Sequence, residues 1–351
     1  MIKKFLLLLF FVFFTRPAVA GPDVIAEVFG TLNQDYVHQI SNKDIALKGL
    51  QSLSKIDPNL TLAEKDGAFV LSYPSKEPQT FNLPDKDDTP SWTAFCKNII
   101  TKACTLSEKL ETIDFELPDR FAAAVFNGLD GYSHYFSVFG SDEEDKPFKI
   151  RRPFASRVVQ NILLIRVLTF KKDISQNIKN AVLECSKCQG IILDLRGNHG
   201  GFLNEAIAVA DMFLDEGIIA YTLSNEDGVP EYFTAGKGDI AMGKPLVILI
   251  DGNTASAAEV LAGALFEQNR AVLIGTKTFG KGTVQDVSKM DADRAIAVTT
   301  SYFYTPSGLK IDKIGITPQI CVSSSEACEQ EDRFSKEEDI ERAVKYLKTG
   351  L

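Results

Sequence analysis

The segment from Pro245 to Gln285 constrains the fold more than any other part of this 351-residue chain. It opens with the apolar run Pro245-Leu-Val-Ile-Leu-Ile-Asp251, continues with an alanine-rich periodic run, and reaches a second apolar run, Ala271-Val-Leu-Ile-Gly275. Apolar β-branched runs bounded by proline and glycine are typical of buried strands, and the alanine-rich run predicts a helix. The segment therefore predicts two strands of an α/β fold with a helix between them.

Ser256 lies at the predicted corner between the first strand and the helix, among the small residues of Gly252-Asn-Thr-Ala-Ser-Ala-Ala-Glu259. A hydroxyl there stands at a helix N-terminus, where free backbone N–H groups and the positive end of the dipole favour a developing oxyanion. This geometry suits a nucleophile. Ser256 and Glu259 also form a Ser-x-x-Glu capping box, however, and that pattern predicts a purely structural serine.

Lys281, in Phe279-Gly-Lys-Gly282 after the second strand, is the predicted base for this hydroxyl. A lysine amine acts as a base only where burial lowers its pKa, and Phe279, Val284 and the sheet are expected to supply that burial. Gln285 is placed to hydrogen-bond the amine, and a Ser-Lys pair is a known variant of the serine-nucleophile arrangement. The alternative interpretation makes Lys281 a solvated loop lysine and Gln285 a surface residue on a strand.

Three runs of this chain resemble the core of the C-terminal processing peptidases, also called tail-specific proteases: Thr254-Ala-Ser-Ala-Ala-Glu259, Leu261-Ala-Gly-Ala-Leu265 and Lys277-Thr-Phe-Gly-Lys-Gly-Thr-Val-Gln285. The resemblance implies that Ser256 is the nucleophile, Lys281 the general base and Gln285 the residue that orients the amine. The family usually has a second serine where this chain has Ala258. That position is not the nucleophile, so the departure leaves the implied activity intact.

A fourth run, Asp194-Leu-Arg-Gly-Asn-His-Gly-Gly201, is similar to the family's Asp-Leu-Arg-x-Asn-x-Gly-Gly segment. In the family, the last glycine and the residue after the nucleophile donate the N–H groups of the oxyanion hole. The resemblance therefore assigns these roles to Gly201 and Ala257. His199 lies in the same loop and offers a Ser-His pair as the alternative to Lys281.

The resemblance also implies the fold class: α/β, with a mixed β-sheet flanked by helices in a ClpP/crotonase-like catalytic core, and an N-terminal helical region. We expect the catalytic protease domain over residues 158–351. The helical region is expected over residues 21–157, with an insertion at residues 54–117. Most family members carry a PDZ domain between these parts. Here only residues 140–157 intervene, which are too few to build a core, so the chain is predicted to lack a PDZ domain.

The first 20 residues have the three parts of a secretory signal peptide: Lys3-Lys4, the apolar run from Phe5 to Phe14, and Ala18-Val-Ala20 before the predicted cleavage site. Their removal takes away three basic residues and no acidic ones, which moves the net charge from −9 to −12. An acidic chain without basic clusters is a poor partner for nucleic acid. We therefore expect a periplasmic or secreted protein that binds no nucleic acid.

The six cysteines lie beyond the signal peptide as three near pairs. In an exported chain an even number favours disulfides, and of the fifteen pairings the local spacing favours Cys96–Cys104, Cys185–Cys188 and Cys321–Cys328. The Cys-x-x-Cys spacing of the middle pair also fits a redox motif or half of a zinc site. The chain has no second Cys-x-x-Cys and no nearby histidine ligand, so a structural disulfide is favoured.

The resemblance implies peptide-bond hydrolysis near the C-termini of protein substrates, through an acyl-enzyme and with no metal or organic cofactor. Its partners would be protein or peptide substrates, and self-association or an adaptor protein would replace the missing PDZ function. Two other classes stay open: an exported binding or scaffold protein on a retired protease fold, and an esterase with the same dyad.

Overall fold

The structure is a computed structural model that describes residues 23–137, 152–224, 228–323, 328 and 336–350. The predicted signal peptide and most of the short 140–157 junction lie outside the described residues. The helices are α1 (Val24–Gln34), α2 (Asn42–Ile56), α3 (Thr89–Leu106), α4 (Glu108–Thr112), α5 (Leu117–Phe126), α6 (Ile174–Glu184), α7 (Leu203–Phe213), α8 (Ala257–Glu267) and α9 (Lys336–Thr349). Within these ranges no helix combines the length and the apolar character that a membrane span requires.

The strands, in chain order, are β1 (Thr61–Lys65), β2 (Ala68–Ser72), β3 (Gln79–Asn82), β4 (His134–Ser137), β5 (Phe154–Val159), β6 (Ile162–Val167), β7 (Gly190–Asp194), β8 (Ile218–Leu223), β9 (Glu231–Thr234), β10 (Leu246–Ile250), β11 (Val272–Gly275), β12 (Thr283–Lys289), β13 (Arg294–Tyr304) and β14 (Ile320–Cys321). The helix and the two strands predicted from Pro245 to Gly275 are therefore present as β10, α8 and β11.

The first of the larger sheets has the strand order β14-β11-β10-β7-β6-β5. All its pairings are parallel except that of β5 with β6 at the edge. Every residue of β10 is buried, because α6, α7 and α8 pack on one face of the sheet and α9 packs on the other. This arrangement confirms the predicted α/β class with a mixed sheet flanked by helices. The boundary predicted at residue 157 falls inside β5.

The second large sheet has the order β12-β13-β8-β9, and β4 also pairs with β13. The antiparallel ladder between β12 and β13 has a register shift between Val284 and Gln285. Strand β13 reaches both main cores, since Phe303 packs with the first sheet while Ile296 and Val298 pack with the N-terminal helices. Because β12 follows Lys281 directly, this sheet positions the predicted base.

The N-terminal region contains a three-stranded antiparallel sheet, β1-β2-β3, as well as the predicted helices. Residues 54–117, the expected insertion, supply this sheet together with α3 and α4. Phe69 and Leu71 of β2 and Trp92 of α3 are buried in one core with α1, α2 and α5. The insertion is therefore part of the core of this region.

Arg196 is the largest fully buried side chain of the described residues. Its Nε lies 2.6 Å from Asp194 Oδ1, and its Nη1 lies 2.7 Å from Asp339 Oδ2 on α9. Breaking a buried ion cluster by removing one partner leaves an uncompensated charge. Arg196 therefore fixes α9 to the end of β7, where the 197–201 loop begins.

Two of the three predicted cysteine pairs are joined in the structure: Cys185–Cys188 with Cα atoms 5.3 Å apart, and Cys321–Cys328 with Cα atoms 5.8 Å apart. The pairing of Cys96 with Cys104 was wrong, because both residues lie on α3 and both are free. Eight residues of helix separate their Cα atoms by about 12 Å, whereas a disulfide spans at most about 7 Å.

Peptide mapping of the folded chain without reductant should therefore find two disulfides and two free thiols. Cys96 is buried and its pKa is raised by burial, so alkylation of this thiol is expected only after unfolding. Alkylation at neutral pH before and after denaturation, followed by mass spectrometry, measures both effects. Detection of a Cys96–Cys104 bridge would contradict the α3 geometry.

Candidate active site

The strand-to-helix corner holds Ser256 in a backbone conformation that few side chains adopt, with φ 58° and ψ −126°. Strand β10 ends at Ile250, and residues 251–255 turn the chain so that α8 begins at Ala257. Conformations of this kind cost about 1–3 kcal/mol and cluster at functional sites. In α/β-hydrolases a strained strand-to-helix turn likewise exposes a nucleophilic serine.

Two buried side chains hold the turn before Ser256. Asp251 Oδ1 accepts the N–H groups of Gly197, at 2.9 Å, and of Asn253, at 3.1 Å. Thr254 Oγ1 accepts the Asp251 N–H at 2.9 Å and donates to the Leu195 carbonyl at 3.0 Å. These bonds join the corner to the end of β7, so the two predicted catalytic loops form one unit.

The glycine loop packs directly on the corner that holds Ser256. A Cβ atom on Gly200, whose φ is 96°, would lie 2.8 Å from Cβ of Ser256 and 3.2 Å from the Ala257 nitrogen. A Cβ atom on Gly201, whose φ is 134°, would lie 2.3 Å from the Phe170 carbonyl oxygen. Only glycine combines this backbone conformation with so close an approach.

Most backbone N–H groups around Ser256 have a partner. The Gly200 N–H donates to Asn198 Oδ1 at 2.8 Å, and the Ala255 N–H donates to the Asn198 carbonyl at 2.9 Å. By contrast, the N–H groups of Gly201 and Ala257 have no hydrogen-bond partner among the described residues. Ala257 is only 1% exposed, and a buried amide without a partner is rare. These two donors are therefore available to an oxygen atom of a ligand.

Glu259 connects Ser256 to the segment that carries Lys281. Its side chain is fully buried, and Oε2 accepts the N–H groups of Ser256, at 2.9 Å, and of Lys281, at 2.8 Å. Oε1 accepts Thr278 Oγ1 at 2.5 Å and the Gly280 N–H at 2.7 Å. The bond to Ser256 is the glutamate half of the predicted capping box. Burial raises the pKa of Glu259, while its four hydrogen bonds oppose the rise.

Glu259→Gln is expected to lower both stability and activity. One carboxylate oxygen becomes an amide NH2 that faces backbone N–H donors, and each unsatisfied buried donor costs about 1–3 kcal/mol. Displacement of the Lys281 segment by about 1 Å would lower kcat by about 100-fold. Denaturant unfolding and peptide cleavage measure the two losses, with Glu184→Gln on the exposed end of α6 as the control. Wild-type behaviour of Glu259→Gln would remove Glu259 from the site.

Lys281 is half-buried, and its amine faces an aromatic ring: Nζ lies 5.2 Å from the centroid of Tyr132. Asp130 orders the turn before β4, since its Oδ1 accepts the N–H groups of Tyr132 and Ser133, each at 2.7 Å. No hydrogen bond joins Lys281 to Ser256 in the described part of the chain. Only their backbones are coupled, through Glu259. Sequence reasoning missed the contact with Tyr132, because it joins two distant segments that only packing brings together.

Gln285 does not hydrogen-bond the Lys281 amine in this structure. Its Nε2 donates instead to Thr283 Oγ1, at 2.7 Å. The orienting role of Gln285 stays a prediction.

His199 and His134 are exposed. His199 lies in the glycine loop, and His134 lies on β4, where its ring contacts Phe136. Neither has a hydrogen-bonded side-chain partner within the described ranges. The same ranges contain no group of three or more His, Cys, Asp or Glu side chains that could hold a metal ion.

A model of peptidase family S41 matches residues 161–322, which include Gly201, Ser256, Lys281 and Gln285. A "Probable CtpA-like serine protease" of Staphylococcus aureus (strain bovine RF122 / ET3-1) is 30% identical over 361 aligned residues, covering 95% of this chain and 72% of that protein. The chain belongs to peptidase family S41. A carboxy-terminal-processing protease of Bartonella bacilliformis is 38% identical over 192 residues.

This S41 chain aligns with different fractions of the length of its relatives. The Bartonella match spans 51% of the chain but only 44% of that relative, so the chain matches less than half of its length. The fold alone is shared with a lipoprotein from Streptococcus agalactiae of known structure, which is 17% identical with a TM-score of 0.51 over 90% of this chain and 99% of that one.

Proposed function

We propose that this S41 chain is a serine endopeptidase that cleaves proteins near their C-termini through a Ser-Lys dyad. The observation that carries the proposal is the pair of unpartnered N–H groups on Gly201 and Ala257, beside a strained serine at a helix N-terminus. Such donors stabilise the oxyanion of acyl transfer. Two relatives are named as a CtpA-like serine protease and a carboxy-terminal-processing protease, which supports this substrate class.

In the proposed reaction, Ser256 Oγ attacks the scissile carbonyl carbon while Lys281 Nζ takes the hydroxyl proton. The carbonyl oxygen becomes an oxyanion held by the N–H groups of Gly201 and Ala257, where loss of one donor costs about 2.7–4 kcal/mol. Lys281 then passes the proton to the leaving amine as the C–N bond breaks. Water repeats the sequence on the acyl-enzyme and releases the new C-terminus.

The reaction requires the Lys281 amine to leave the Tyr132 ring and reach Ser256. Glu259 already holds the backbone N–H groups of both residues, so rotation of the lysine side chain can bring the two groups together. We interpret the observed position as a resting arrangement. Gln285 would then exchange Thr283 for the lysine amine.

We further propose that the protein acts outside the cytoplasm. The proposal is supported by the three-part signal pattern of residues 1–20 and by the two disulfides, which persist in oxidising compartments. N-terminal sequencing of the exported chain should find Gly21 as its first residue.

The function is tested by incubating the purified wild-type chain with unfolded reporter proteins and identifying the fragments by mass spectrometry. The proposal predicts cleavage near the reporter C-termini. A matched Ser256→Ala sample controls for contaminating proteases, because it should release no fragments. Intact reporters after prolonged incubation with the wild-type chain would contradict the proposal.

The scaffold alternative has one observation in its favour, namely the separation of the Lys281 amine from Ser256 in this structure. A retired protease would bind the reporter proteins without cutting them. Binding by wild-type chain with no fragment formation at any pH at which the chain stays folded would favour this second function.

A further inference from the structure

A cavity of about 790 Å³ opens between the N-terminal helical region and the second large sheet. Its polar lining includes Tyr36 and His38 from the segment after α1, Tyr302 and Tyr304 from β13, and Lys310 from the turn that follows. No carboxylate belongs to the described lining residues. This composition is unusual in a chain whose net charge is −9.

The cationic group of the cavity is held over an aromatic ring. Lys310 Nζ lies 3.4 Å from the centroid of Tyr302, and the Tyr302 hydroxyl lies 2.7 Å from His38 Nε2. Among the described residues Lys310 has no ion-pair partner. A lysine that is fixed by a ring and has no counter-ion retains its capacity to bind an anion.

The tyrosines add uncharged donors to this cation. Burial, followed by the charges of Asp312 and Asp130, raises the pKa of Tyr302 to about 12. Burial likewise raises the pKa of Tyr36. Both phenols therefore stay protonated at neutral pH and can donate a hydrogen bond.

The cavity is connected to the proposed catalytic site through one strand pair. Tyr302 of β13 is the register partner of Thr283 on β12, which lies two residues beyond Lys281. The long ladder between these strands makes the connection rigid. A ligand in the cavity would thus lie on the sheet that positions the base.

We propose that this cavity binds a carboxylate group of the peptide substrate, with the Lys310 ammonium as its charged partner and tyrosine hydroxyls as additional donors. The identity of the ligand as a peptide rests on the proposed peptidase function. The carboxylate comes from the free C-terminus of the substrate or from an acidic side chain close to it. Both sources present the same planar anion to the lysine.

The test measures binding by fluorescence anisotropy to the Ser256→Ala chain, which keeps the peptides intact. Three short fluorescein-labelled peptides of otherwise equal sequence are compared: one with a free C-terminal carboxylate, one with a C-terminal amide, and one with the amide and a final glutamate. The Kd of each is measured again after Lys310→Gln. Lys289→Gln on the exposed end of β12 removes the same charge outside the cavity and serves as the control.

At least one carboxylate peptide is expected to bind about tenfold more tightly than the plain amide, which is the range for a hydrogen bond to a charged group. Lys310→Gln should abolish this difference, and Lys289→Gln should keep it. Preference for the free acid alone would identify the C-terminus, whereas preference for both acids would identify any carboxylate. Equal binding of all three peptides, or a preference that survives Lys310→Gln, would overturn the inference.

This assay separates the inference from the peptidase proposal. Lysine-dependent binding without fragment formation by the wild-type chain would retain the carboxylate site and refute the peptidase. Cleavage by the wild-type chain, with no effect of Lys310→Gln on binding, would retain the peptidase proposal and refute the carboxylate site.

Discussion

Ser256→Ala is expected to lower kcat for peptide cleavage by about a million-fold, the loss found when the nucleophile of a serine protease is removed. The change removes only Oγ, and the bond from the Ser256 N–H to Glu259 survives in alanine. Loss of the serine cap should cost about 1 kcal/mol.

The kinetic and structural effects of this variant are therefore separable. Cleavage of a quenched peptide measures kcat, and denaturant unfolding measures stability. Ser288→Ala, on the exposed part of β12, provides a control that should keep both values. Activity of Ser256→Ala within an order of magnitude of wild type would place the nucleophile elsewhere.

Removal of the amine by Lys281→Met is expected to lower kcat by about 10⁶-fold, the loss found when the base of a serine protease is removed. Lys281→Arg should be equally inactive, because a guanidinium stays protonated at any usable pH. The arginine variant also keeps a cation that can lie over the Tyr132 ring. Its inactivity would thus separate proton transfer from the resting contact.

His199→Ala is the matched test of the alternative base. Its side chain is exposed in the glycine loop, so the variant should keep most activity and lose only what a disturbance of Gly200 and Gly201 costs. If, measured side by side, His199→Ala is inactive and Lys281→Met is active, the Ser-Lys mechanism is replaced by a Ser-His pair.

Sequence patterns predicted the parts of the site that depend on local structure. The apolar run before Ser256 and the alanine-rich run after it determine β10 and α8, and the corner between them follows from the small residues. The Ser-x-x-Glu pattern of Ser256 and Glu259 likewise predicted the bond from the Ser256 N–H to Glu259. Each of these features depends on one continuous segment of the chain.

The features that sequence patterns missed depend on contacts between distant segments. The Ser-x-x-Glu pattern identified Glu259 as a cap, but its bonds to Thr278, Gly280 and Lys281 require a loop about twenty residues away to fold over the corner. The contact of Lys281 with Tyr132 joins two segments that have no shared pattern. The Cys96–Cys104 error arose because sequence spacing was considered without the helix that separates the thiols.

Covalent labelling of the nucleophile tests the central claim most directly. The chain is incubated with a fluorophosphonate, which forms a phosphonyl ester with an activated serine as fluoride leaves, and the adduct is located by peptide mapping. The account predicts one adduct, on Ser256, that Lys281→Met abolishes and His199→Ala preserves. A modified residue other than Ser256, or an unlabelled wild-type chain that still cleaves peptides, would contradict it.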